Sequence, residues 1–128
     1  MIQAKDLMIG DIIHVDYDFS EIVGTVSGIA NGKIIVETQY GSIAVYKNEV
    51  FPISLTPEIL EKNFEKKTFY GIYDDYFDLD IREYSDGLYI VTYHSCEFNI
   101  PDQTIHVSWV HELQHFLNHC GITHEIKL

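Results

Sequence analysis

The stretch Ile22-Val23-Gly24-Thr25-Val26-Ser27-Gly28-Ile29-Ala30-Asn31-Gly32-Lys33-Ile34-Ile35-Val36-Glu37-Thr38 decides the fold class. Two runs rich in β-branched residues flank Asn31-Gly32, a pair suited to the two positive-φ positions of a tight hairpin turn. The glycines at 24 and 28 predict a bend or bulge in the first run. Upstream, residues 11–16 alternate with a period of two after Gly10, as a half-buried strand should. Downstream, Tyr40-Gly41-Ser42 turns the chain into a strand at 43–46, and 50–53 makes a last short one. Five short strands within residues 1–55 predict a small SH3-like β-barrel, the alternative being a three-stranded meander packed on the second half.

Beyond it, Thr56 is placed to cap a helix, with Pro57 at its first position and Glu58 at the positive end of its dipole. The spacing predicts a two-turn linker helix over 57–63 and a domain boundary there, the second domain running from 56 to 128. Strands follow at 68–73, 76–84 and 88–93, with Ser85-Asp86-Gly87 as hairpin chemistry between the last two. Residues 97–100 and 104–107 are candidate edge strands. A final helix is expected at about 108–120, with Val110, Leu113, Phe116, Leu117 and Cys120 on one stripe and Gly121 as its stop. The predicted class is therefore α+β, mainly β: a small barrel, then an antiparallel sheet covered by one C-terminal helix.

The 128 residues carry a formal charge of −12, with 46% hydrophobic and 13% aromatic residues, enough to bury a core without staples. Such an acidic chain is not expected to bind nucleic acid directly, because phosphates demand a basic face. No apolar run is long enough for a membrane span, and the start has no secretory layout. Two cysteines, Cys96 and Cys120, are too few for a disulfide framework, which favours a reducing cytosol. No P-loop, dinucleotide fingerprint or serine nucleophile elbow is present.

One motif points at chemistry. His111-Glu112-Leu113-Gln114-His115 is an HExxH pattern on the final helix, the arrangement in which two histidines hold zinc and the glutamate activates water. His111, His115 and His119 fall opposite the apolar stripe, so the spacing predicts a solvated row of imidazoles. His119 lies ~12 Å from His111 along the axis, too far to complete one coordination sphere. The motif is therefore read as incidental, with no cofactor and no catalytic residue. The alternative is a zinc-dependent hydrolase with His111 and His115 as ligands and Glu112 as base.

A second feature is the acidic, tyrosine-rich stretch from residue 70 onward. Asp78 and Asp80 alternate onto the outer sheet face, and the run lacks the glycine and spacing of a calcium loop. Tyrosines are enriched at interfaces, so Tyr73, Tyr76, Asp78, Asp80 and Tyr84 form a candidate partner surface. A homo-oligomer and mimicry of a DNA backbone are further readings of the same surface.

Three segments carry a resemblance: Asp6-Leu7-Met8-Ile9-Gly10-Asp11, Pro52-Ile53-Ser54-Leu55-Thr56-Pro57-Glu58-Ile59-Leu60-Glu61-Lys62-Asn63-Phe64, and Val110-His111-Glu112-Leu113-Gln114-His115 followed by Cys120-Gly121-Ile122. Together they resemble a family of short uncharacterised proteins of Bacteroides-type phages and prophages. That family's last helix usually lacks a complete HExxH, and its glycine after the first helix is replaced here by Asn63-Phe64. The resemblance implies no activity, cofactor or catalytic residue. The expectation is a non-enzymatic accessory protein of a phage or mobile element that binds a host protein or small ligand in the host cytosol.

Overall fold

The computed structural model describes residues 6–17, 20–97 and 99–128. They form two antiparallel sheets and two α-helices, a mainly β member of the α+β class. The chain divides into two compact units: Met1–Ile53 with Trp109–His115, and Ser54–Ser108 with Phe116–Leu128.

The first unit holds β1 (Ile12–Tyr17), β2 (Ser20–Ala30), β3 (Lys33–Thr38), β4 (Gly41–Tyr46), a 3-10 turn at Lys47–Glu49 and β5 (Val50–Phe51). The strands lie in the order β4-β3-β2-β1-β5, every neighbouring pair antiparallel. The hairpin expected at Asn31-Gly32 is present, with φ of 52° and 76° at the two residues. The predicted bend in β2 has a clear role. The first part of this strand pairs with β1, from Tyr17↔Ser20 to Ile12↔Thr25, and the second with β3, from Thr25↔Glu37 to Ala30↔Lys33. A bulge between Val26 and Gly28 separates most of the second ladder from the first.

Inward residues alternate as the sequence required, and Leu7, Ile13, Val15, Val26, Ile34, Val36, Val45 and Val50 form one buried cluster. The expected barrel is not closed: among the described residues the end strands β4 and β5 do not pair with each other. The last strand is also shorter than predicted. Pro52 has no N–H to give to a ladder, so β5 stops at Phe51.

The second unit begins with α1 (Pro57–Asn63), whose first turn is capped by the Thr56 hydroxyl accepting from Ile59 N–H at 3.3 Å. It continues with β6 (Glu65–Lys66), β7 (Tyr70–Tyr73), β8 (Phe77–Ser85), β9 (Leu88–Ser95) and β10 (Gln103–Val107), in the order β10-β9-β8-β7-β6. Leu79, Ile81, Tyr89 and Val91 are buried on one face of this sheet. Leu55, Leu60, Phe64, Val107, Phe116, Leu117, Ile122 and Ile126 are buried in the same unit. The edge strand expected at 97–100 does not form: Asn99 takes a left-handed turn conformation at φ 69°, and Phe98 lies outside the described residues.

The second helix, α2 (Val110–His119), ends where Gly121 adopts φ 74° and Ile122 N–H returns to Leu117 O at 2.9 Å. The following tail is held through Asn63. Its amide donates to Lys127 O and accepts from Lys127 N–H, both at 2.6 Å, while His124 stacks on Phe64 with centroids 4.9 Å apart.

Candidate functional site

The HExxH helix does not present its histidines as the spacing predicts. His111 is buried, at 6% exposure, and His115 is half-buried; only His119 faces solvent. A periodicity argument allows for one covering surface, whereas the first turn of α2 is also approached from its histidine side by the turn before β1. Asp11, 2% exposed, comes from that turn.

Its carboxylate accepts from Met8 N–H at 2.8 Å and from His115 Nε2 at 2.8 and 2.9 Å. A carboxylate only accepts, so His115 carries its proton on Nε2. Gln114 adds two bonds to the same region, accepting from Ile12 N–H and donating to Gly10 O, both at 2.9 Å. The carboxylate, the amide and the imidazole thus form a polar clamp between residues 8–12 and one face of the helix.

The motif's remaining members take other roles. Glu112 Oε1 accepts from Trp109 N–H at 3.1 Å, the return bond of a helix cap, which turns it back toward the helix start. His111 stands edge-on to His115, centroids 5.6 Å apart, and its Nδ1 is buried with no hydrogen-bonding partner among the described residues. Burial pushes the His111 ring below the ordinary imidazole value, with His115 adding to this while Asp11, Glu112 and Asp6 pull the other way. No group of three His, Cys, Asp or Glu side chains among the described residues stands where it could hold a metal ion. Gln114 and His115 of the HExxH helix dock against residues 8–12, with Asp11 as the partner that sequence reasoning missed. Its signal was only a turn aspartate after Gly10, 104 positions from the histidine it meets. The Glu112 cap was more accessible, since glutamate three residues after a helix start is a known capping arrangement.

The tyrosine and acidic residues lie on the second unit. Register places Tyr73 beside Asp78, and Gly71 beside Asp80, on the face opposite Leu79 and Ile81. Tyr73 Oη donates toward Asp80 Oδ1 at 3.1 Å and Phe69 O at 2.9 Å, and Lys67 Nζ stands 4.4 Å from its ring centre. Desolvation first, then the Asp80 carboxylate, pushes the Tyr73 phenol up to about 12, so it remains a neutral donor. Further along the same face, Tyr84 is edge-on to His106 with centroids 5.8 Å apart. Tyr76 sits in the β7–β8 turn, where its N–H donates to Asp74 Oδ1 at 2.9 Å. Tyr73, Asp78 and Asp80 are thus brought together; Tyr76 and Tyr84 flank them in the open, at 78% and 67% exposure.

The neighbouring strand adds His94, cross-strand from Asp78 and ion-paired with Asp102. That hydrogen bond, then the Asp102 charge, raises the His94 ring above its ordinary value. Of the cysteines, Cys96 is exposed, while burial raises the Cys120 thiol; both are free. No described helix is long and apolar enough to cross a membrane. Comparison with protein-family models, with curated proteins and with solved structures found no match to this chain.

Proposed function

We propose that the chain is a non-enzymatic accessory protein of a phage or mobile element, acting in host cytosol by binding a host protein or small ligand. Its contact surface is the outer face of the second sheet, with Tyr73, Tyr76, Asp78, Asp80 and Tyr84. One observation carries the reading: two tyrosines, Tyr76 and Tyr84, stand largely in water on either side of an acidic patch. Tyrosine supplies large contact area at low entropic cost and is enriched where partners dock. The charge of −12 favours a protein or small-molecule partner over direct contact with nucleic acid.

In this reading the first sheet is an SH3-like barrel left open between β4 and β5. Support comes from the passage of β2 from one neighbour to the other and from the 3-10 turn leading into β5. The phage origin rests on the resemblance of the three quoted segments.

The test is capture from host lysate by the wild type and by a Tyr76→Ala/Tyr84→Ala double variant, with light scattering of both proteins. A partner retained by the wild type and lost by the variant supports the proposal. A monomer that captures nothing counts against it. A self-association abolished by the same substitutions assigns the face to a second copy of the chain.

A further inference from the structure

We propose that Tyr17, Ser20, Ile22 and Tyr40 form a binding site for the trimethylammonium head of a small cationic ligand of the choline class, held by cation–π attraction to the two tyrosines. The site lies wholly in the first unit and is separate from the second-sheet face, so neither reading depends on the other. These four residues line a cavity of about 220 Å³ at the β1–β2 turn end of the first sheet. A cavity of roughly 150 Å³ is enough for a guest the size of benzene, so a compact head group fits.

The cavity follows from strand register. Tyr17 pairs with Ser20 and Val15 with Ile22, so these four side chains share one face of the sheet. Val15 is fully buried on that face, and Ile22 packs against the same cluster. Tyr17 and Ser20 lie one step further out, where the core ends and the face opens to water. Tyr40 reaches the cavity from the β3–β4 turn. That turn is fixed: the Thr38 hydroxyl accepts from Tyr40 N–H at 3.0 Å and donates to Gly41 O at 2.9 Å, while Gly41 takes φ 101°. Tyr17 and Tyr40 remain 46% and 70% exposed. Aromatic rings on an ordered ladder and an ordered turn need little further ordering to receive a guest.

Tyrosine rings elsewhere in the chain hold cations. Lys33 Nζ stands 5.0 Å from the ring centre of Tyr46, Lys66 Nζ 5.1 Å from that of Tyr70 and Lys67 Nζ 4.4 Å from that of Tyr73. Among the described residues no cation stands over Tyr17 or Tyr40. Asp16 and Glu21, the adjoining pair of the ladder, alternate onto the opposite face, and the whole chain carries −12. The field therefore favours a positive guest. Among the described residues no carboxylate lines the cavity, and this selects the kind of cation. A lysine ammonium is strongly hydrated and brings three donors that need acceptors. A quaternary ammonium has no N–H to satisfy, so it gives up no hydrogen bond on entry and gains the ring faces.

The experiment titrates the full chain with three ligands, followed by NMR and calorimetry. They are choline, its neutral carbon isostere in which a tert-butyl group replaces the trimethylammonium, and glycine betaine, which adds a carboxylate to the same head. Choline is expected to give saturable shifts at Tyr17, Ser20, Ile22 and Tyr40, with a dissociation constant in the millimolar range. It should bind about tenfold more tightly than the isostere, the preference that two ring faces supply. Betaine should also bind more weakly, because its carboxylate meets the negative field. Tyr40→Leu should weaken choline binding about fivefold, while Tyr40→Phe, which keeps the ring, should retain it. Equal affinity for choline and either analogue overturns the proposal, as does unchanged choline affinity in Tyr40→Leu. Shifts centred on other residues, or none at about 100 mM choline, overturn it as well. So does a proline-rich peptide that moves the same four residues when choline does not. The wild-type comparison of the three ligands decides alone should a variant fail to fold.

Discussion

Removing the Asp11 carboxylate tests the clamp that the structure places between residues 8–12 and α2. Asp11→Ala deletes one hydrogen bond from Met8 N–H and a shared one from His115 Nε2–H. Bonds to a charged group contribute about 1.5–3 kcal/mol each. Both donors reach some water once the carboxylate is gone, since Met8 is 46% exposed and the His115 side chain 27%. The low end of the range therefore applies, and the pair sums to roughly 3 kcal/mol. For a chain of this length that is a fall in melting temperature of roughly 10 °C.

Asp11→Asn keeps the shape and one acceptor oxygen, and the His115 ring can exchange tautomer to meet the new amide. Its expected cost is about 1 kcal/mol. The assay is urea unfolding followed by Trp109 fluorescence, which reports on the first unit, with His115→Ala added to complete a double-mutant cycle. A coupling of about 1–2 kcal/mol between the two positions is expected. An Asp11→Ala variant within about 0.5 kcal/mol of wild type, or a cycle with no coupling, would refute the clamp.

Other outcomes follow from single contacts. A Cβ at Gly71 would lie 1.9 Å from Leu79 O, so Gly71→Ala should lose folded protein by circular dichroism, while Gly28→Ala, with nothing nearer than 3.8 Å, should keep the sheet. Spectrophotometric titration should show a phenol ionising near pH 12, and Tyr73→Phe should remove that step. Thr56→Ala should destabilise the second unit by about 1 kcal/mol through loss of its helix cap, measured by urea denaturation. Calorimetric titration with zinc is expected to give no stoichiometric binding; tight one-to-one binding lost in His111→Ala would favour the hydrolase alternative.

Local patterns were readable where one face of an element meets one surface. The Asn31-Gly32 turn, the alternation of Leu79 and Ile81 with Asp78 and Asp80, and the Thr56-Pro57 helix start all depend on neighbours within a few residues. The structure forms each of them. The error at His111 had the opposite origin. Helical spacing identifies the side that Val110, Leu113 and Leu117 bury, but it is silent about a second surface arriving from residues 7–11. Only the tertiary fold brings Asp11 to His115, and no short-range rule joins positions so distant. The tyrosine face was legible as a face, through register and alternation; the Tyr73–Asp80 bond needed the coordinates.

The division of the chain has a consequence for its synthesis. The first unit draws on residues 109–115, so its sheet leaves the ribosome well before the piece that completes it. At about 5–20 residues per second, the 55 residues between Ile53 and Trp109 correspond to a wait of roughly 3–11 s. Throughout that interval Asp11 has no imidazole to meet and the nascent sheet lacks its closing segment, a window in which a chaperone or a protease has access that the finished protein denies.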